Sequence, residues 1–227
     1  MTAPLDSRAL APDLPDQETR LSQTSRVEAF SDGVMAIAIT LLVLDLKVPS
    51  DAEARDAGSL IAALARHGPS YLAYLAAFLT IGIIWLNHRA FVDKIRRFNN
   101  RLHWLNLALL LGVATLPFPT ALLAAYLAEG GPPAATAAVV YGLLSVATAL
   151  PWTLMWRHIV RHPELLEPPY DGIHARAELR RASIGPLIYV LAVPLALFLP
   201  LAALLFYIGI AVLYALTSQG AQLGSLN

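Results

Sequence analysis

Cysteine is absent from the 227 residues, which excludes disulfides, thiolate metal sites and cysteine nucleophiles. Charge is scarce: only 14% of residues are Asp, Glu, Lys or Arg, against about a quarter in ordinary soluble domains. Sixteen basic residues balance sixteen acidic ones, so net charge offers no case for a nucleic-acid partner. There is no Walker loop, no HExxH and no GxSxG, so nothing points to an enzyme, a bound cofactor or a metal centre. No internal duplication is visible either. What the chain does have is apolar sequence, 57% of it, with a mean hydropathy of +0.58. That composition describes an all-α integral membrane protein and no soluble core.

A helix needs roughly 20 mostly apolar residues to cross the hydrocarbon layer. Such runs cover residues 30–48, 71–88, 104–127 and 134–156. A fifth apolar stretch, 184–216, is too long for one comfortable span, and Pro200 in its middle would break a helix. Two spans joined by a turn near Pro200 make six transmembrane helices per chain. Residues 1–24 are polar and lack the apolar core of a signal peptide, so they read as a disordered cytoplasmic tail. Residues 25–217 form the membrane domain and 218–227 a short C-terminal tail.

Basic residues set the orientation, because Lys and Arg collect in cytoplasmic loops. Arg89, Lys94, Arg96, Arg97 and Arg101 lie between spans two and three; Arg157, Arg161, Arg176, Arg180 and Arg181 lie between spans four and five. The loop after span three, EGGPP, has none. Every second connection is basic, so both termini are expected in the cytoplasm.

The first span, RVEAFSDGVMAIAITLLVLDLKVP, carries the information. Asp32 sits in its first turns. A carboxylate costs roughly 2.5–3.5 kcal/mol at the centre of a membrane helix and less near the interface, so it needs partners or water. Asn87 and His88 at the end of span two and Asn106 at the start of span three are candidates at matching depth. At about 100° per residue, Gly33, Ile37, Leu41 and Leu44 share one stripe with Thr40 at its edge, while Asp32, Met35, Ile39 and Leu42 fall opposite. Ala29, Ala36 and Ala38 flank the first stripe and permit close helix approach. Such a helix could line a symmetric axis, its apolar side forming constrictions that exclude water. The same stripe also suits plain lipid contact or core packing, and a helical Thr ordinarily bonds back to its own helix. Periodicity alone leaves channel, transporter and scaffold open.

Arg26, Phe30, Ser31, Asp32 and Thr40 together fit RxxxFSDxxxxxxxT. This pattern resembles the signature of the transmembrane protein 175 family, the lysosomal potassium channels and their bacterial relatives. WLNH (Trp85 to His88), LHWLN (Leu102 to Asn106) and LPFPT (Leu116 to Thr120) follow in the order of that family, so the resemblance covers about residues 26–120. One departure is Arg89, where many relatives are expected to carry a second histidine. The resemblance implies a potassium-permeable channel that lacks the TVGYG filter. For one six-span copy it implies a homotetramer in the bacterial inner membrane, with the first helix lining the pore. By position, Ile37 would form the inner constriction, Thr40 a hydroxyl ring and Leu44 an outer constriction, with Leu41 able to take the middle layer instead. Arg26, Phe30, Ser31 and Asp32 would tie the pore helix to Trp85, Asn87, His88 and Asn106 behind it. The implied partners are other copies of the chain, the bilayer and permeant K+.

Two other readings compete. In a proton-coupled secondary transporter, Asp32 and His88 would relay protons, which calls for ionisable groups on an aqueous cavity near mid-membrane. A non-conducting scaffold would use the same spans silently. His158, His162, Glu164 and Glu167 form the only acid–histidine cluster, in a proline-rich loop where solvated linker is the plainer explanation.

Overall fold

Proline marks where several helices start. Its missing N–H costs nothing in a first turn, and Pro69, Pro117 and Pro132 occupy the first turns of three apolar helices. The structure, a computed structural model, describes residues 17–209. Helix α1 (Gln17–Leu41) ends in a 3-10 turn, Leu42–Asp45. Two short helices follow, α2 (Asp51–Asp56) and α3 (Leu60–Arg66). The long helices are then α4 (Gly68–Val92), α5 (Asn100–Thr115) continued by α6 (Pro117–Tyr126), α7 (Gly131–Arg161) and α8 (Gly172–Phe198). A last helix, α9, is described over Pro200–Gly209.

Among the described residues, five segments are long and apolar enough to cross a membrane: Thr24–Leu44, Gly68–Val92, Asn100–Tyr126, Gly131–Arg161 and Gly172–Phe198. The chain is thus a multi-pass, all-helical membrane protein. The expected break at Pro200 is present, since α8 stops at Phe198 and α9 begins at Pro200. The remainder of the expected sixth span lies outside the described residues, as does the 218–227 tail. Of the expected N-terminal tail, residues 17–24 are helical, because α1 begins at Gln17; residues 1–16 lie outside the described residues. The fifth span begins a dozen residues earlier than hydropathy suggests. Asp171 caps α8 by accepting from the Ile173 and His174 backbone N–H groups, so Arg176, Arg180 and Arg181 ride on a helix. The His174 backbone N–H, then its ring, hold the Asp171 carboxyl below the usual carboxylate range.

Prolines inside the helices are compensated locally. Pro186 cannot donate to the Ala182 carbonyl one turn back, and the Thr153 hydroxyl of α7 donates to that carbonyl at 2.8 Å instead. At Pro117 the third span breaks: the Leu116 N–H turns to Val113 O at 3.1 Å, three residues back, and α6 starts afresh.

The two basic connections meet at one end of the bundle. Ile95 and Leu166 form an antiparallel bridge, with Arg96 N donating to Leu165 O and Glu167 N to Lys94 O. Beneath it lies a cluster in which Phe91 meets Trp156 edge-on at 5.0 Å and Trp152 at 5.4 Å, with Met155 and Ile159 around them. Lys94 adds a 2.8 Å ion pair to Glu178 on α8. At the other end the Ser70 hydroxyl donates to Ala124 O, joining the start of α4 to α6. This up-and-down path agrees with the alternation of basic and non-basic connections. Small residues let the helices close up: a Cβ on Gly112 would lie 2.6 Å from Thr148 Oγ1, so α5 and α7 cross in near-backbone contact.

Candidate functional site

The site is built on α1 and on what stands behind it. α1 has two faces that differ in burial. Ser31, Met35, Ala38 and Leu42, spaced by three or four residues, are buried. Met35, Ala38 and Leu42 pack with Ala77 and Ile81 of α4 and with Leu110, Val113 and Leu116 of the α5 segment. Gly33, Ala36, Ile37, Thr40, Leu41 and Leu44 stand exposed, Ile37 at 61% and Leu44 at 76%. Ala38 belongs to the buried set, not to the flank of the open stripe, because it follows Met35 by three residues and shares its side.

Polar groups fasten the buried face at one level. The Trp85 indole N–H donates to Asp32 Oδ1 at 2.9 Å. The Asn106 amide donates to Ser31 Oγ at 3.0 Å, and its carbonyl meets His88 Nε2 at 2.8 Å. Ser31 and His88 are fully buried and Asn106 is nearly so. Each bond joins a different pair of spans, so three helices are held in register at the depth of Asp32. In a low-dielectric interior such bonds hold position firmly, because breaking one leaves a polar group with no water to turn to.

Three expected members of this tie lie elsewhere. Arg26 and Phe30 are exposed. They precede Gly33 and Ile37 by helical steps of three, seven or eleven, so they share the open face, not the buried one. Asn87 adjoins His88 in sequence but sits about 100° away around α4; it lines a cavity with Thr80, Ser145, Thr148 and Trp152 on the far side of that helix.

Thr40 donates its hydroxyl proton to the Ile37 carbonyl at 2.9 Å. Thr40 is exposed and lies between the Ile37 and Leu44 levels. The acid–histidine cluster at the end of α7 does structural work: Asn99, which caps α5, bonds His158 Nε2 at 2.9 Å, and His162 Nδ1 meets Glu164 at 3.1 Å. Among the described residues no three His, Asp or Glu side chains gather to hold a metal.

The family model for the endosomal/lysosomal potassium channel TMEM175 matches residues 26–117. A potassium channel of Streptomyces collinus is 47% identical over 176 residues, 78% of this chain and 84% of that one. The chain belongs to the TMEM175 family. A potassium channel of Chamaesiphon minutus is 40% identical over 77% of this chain and 85% of its own length. The crystal structure of a lysosomal potassium-selective channel TMEM175 homolog from that organism superposes with a TM-score of 0.77, at 36% identity, covering 87% of this chain and 98% of that one. The mouse endosomal/lysosomal proton channel TMEM175 is 42% identical over 97 residues, which is 40% of this chain but 19% of the mouse protein. In this TMEM175-family chain the matched region runs from α1 to the start of α6, the helices that make and brace the open stripe.

The brace was half legible in sequence. Asp32, Ser31, His88, Asn106 and Trp85 are polar or amphipathic groups inside apolar runs. The ties at the basic end, Asn99 to His158 and Lys94 to Glu178, carried no such signal, because each joins a connection residue to a polar helix end where such groups are unremarkable.

Proposed function

We propose that the chain is a potassium-permeable cation channel, passing K+ passively through a central pore lined by α1 in a homotetramer. One observation carries the reading: α1 leaves an apolar stripe, Ile37, Leu41 and Leu44, uncovered by its own protomer while its opposite face is tied down by buried hydrogen bonds. The relatives that are named potassium channels, and the likeness to a potassium-selective channel structure at 36% identity, support it. Each protomer supplies six spans, with both termini in the cytoplasm of a bacterial cell and the pore in its inner membrane.

Around a fourfold axis, Ile37 side chains form the inner constriction and Leu44 side chains the outer one. A narrow apolar neck excludes water until it widens. Thr40 stands between them. Its proton is committed to the Ile37 carbonyl, so four hydroxyl oxygens face the axis as acceptors. K+ holds its hydration shell less tightly than Na+ and sheds part of it there at lower cost. One ring of hydroxyls offers fewer oxygens than a carbonyl filter, so selectivity is modest. If Leu41 turns to the axis, the middle layer is apolar and selectivity rests on dehydration alone.

Asp32 and His88 serve as braces. Both are engaged with neighbouring helices, and His88 is fully enclosed. A proton relay in a transporter would need these groups on an aqueous cavity. Flux from vesicles containing the purified protein, under K+ and Na+ gradients in turn, tests the reading. Passive K+ flux exceeding Na+ flux is expected. Uptake against a gradient, driven by protons, would establish the transporter instead, and silent vesicles a scaffold.

A further inference from the structure

Asn87 is left over from the brace, and its surroundings give it another use. It shares with Thr80 a face of α4 turned from Ile81 and Trp85, which pack in the cluster with α1, and Ile84 lies between the two. There it lines a cavity of about 90 Å³ among α4, α5, α7 and α8. α4 and α8 scarcely touch, and Asn87, Trp152 and Tyr189 are each partly exposed, so the cavity has a mouth toward the bilayer between those two helices.

The donors and acceptors on the wall define what fits. Four hydroxyls line it, and three have given their proton to their own helix: Thr80 to Ala76 O, Ser145 to Tyr141 O and Thr148 to Leu144 O, all at 2.8 Å; the fourth belongs to Tyr189. The first three offer lone pairs only. The Asn87 amide makes no hydrogen bond to protein among the described residues, so it offers a carbonyl acceptor and two N–H donors. No charged side chain lines the cavity, which disfavours an anion or a cation. Trp152, Tyr189 and aliphatic groups make up the rest. A hydroxyl group, able both to donate and to accept, matches this polar set, and an alkyl chain matches the walls and the mouth. A dry cavity of about 150 Å³ accommodates benzene; this smaller one takes a headgroup and its first carbons, with the chain trailing into lipid.

We propose that this cavity is an intramembrane binding site for a neutral, single-chain amphiphile with a hydroxyl head, such as a long-chain alcohol, held by the Asn87 amide. The site is separate from the pore stripe, and α4 stands between the two. Its occupancy does not depend on whether the chain conducts.

The test uses the full chain in lipid vesicles and two photoreactive probes: octan-1-ol bearing a diazirine and the matching octane diazirine without the hydroxyl. After illumination, mass spectrometry of peptides locates the adducts. The alcohol probe is expected to label Trp152 and Tyr189 severalfold above the lipid-exposed Leu143 and Leu150, and excess unlabelled octan-1-ol should suppress this. Asn87→Leu should abolish the enrichment by removing the amide. Ala149→Leu should do so by filling the cavity while leaving the amide in place, and it carries the test if the first variant fails to fold. Equal labelling by the hydroxyl-free probe would overturn the proposal in favour of plain acyl-chain contact. Labelling spread evenly over the lipid-facing helices, or unchanged in Ala149→Leu, would overturn it as well. K+ flux is not read in any arm, so a failure here and a failure of the channel reading remain distinct.

Discussion

The inner and outer faces of α1 are made of similar residues and meet opposite fates. Met35, Ala38 and Leu42 vanish into α4 and α5, while Ile37, Leu41 and Leu44 stay uncovered. Hydrophobicity does not separate them; the polar ties do. Ser31 and Asp32 sit on the side of α1 where Asn106 and Trp85 can reach them, and once those bonds form, the rotation of the helix is set. An apolar stripe is then turned outward at no local cost, because the surroundings there are a bilayer or another copy of the chain. If the chain conducts as proposed, the buried face answers for stability and the open face for conduction, and substitutions on the two should separate these properties.

The largest effect is expected from Met35→Ala. It hollows a fully buried position and should lower unfolding stability by about 2–5 kcal/mol, read by denaturant or thermal unfolding in micelles. A loss as small as that from an exposed α1 position would dissolve the distinction between the faces. Asn106→Leu should have an effect of similar size. It orphans both Ser31 and His88, and each unpaired buried group should cost about 1–3 kcal/mol. A double-mutant cycle with Ser31→Ala should show strong coupling, and additive effects would mean the network is not a unit.

On the open face, Ile37→Asn should change stability by no more than about 0.5 kcal/mol while raising K+ flux severalfold by wetting the neck. Unaltered flux in folded protein would remove Ile37 from the barrier. Thr40→Ala should be smaller still, moving the reversal potential in mixed K+/Na+ toward less K+ preference at nearly constant conductance. The smallest effect lies outside the membrane. The Ser50 backbone N–H, then its side chain, hold the Glu53 carboxyl below its ordinary value, as part of the capping box that starts α2. A depressed carboxyl contributes stability above its unfolded pKa and loses it as pH falls through the folded value. Amide exchange in α2 should therefore stay slow through the usual carboxylate range near pH 4.5 and accelerate only below it. Acceleration already at the ordinary value would mean that the box does not persist in solution.

Five of the spans and the two faces of α1 could be read before any fold was known. Membrane helices announce themselves by length and apolarity, and a period of 3.6 places Asp32 away from Ile37 without reference to neighbours. The same period, followed further, puts Arg26 and Phe30 with the open stripe, a consequence hidden by treating the whole motif as one device. The break at Leu116 and the early start of α8 were less visible, because hydropathy averages over prolines and caps that act on single peptide groups.

By itself the sequence determined that this chain spans a membrane repeatedly and that its first helix has an anchored side and a greasy side. Both follow from local chemistry: the bilayer admits only self-satisfied backbone, and helical geometry assigns each side chain a direction. Which helix stands in each direction was left to the tertiary structure. It sent His88 to Asn106 and the adjacent Asn87 into a separate cavity, and it brought residues 95 and 166 together at one end of the bundle. Those outcomes depend on crossings set by small residues such as Gly112, whose closeness to Thr148 has no trace in the order of the residues along the chain.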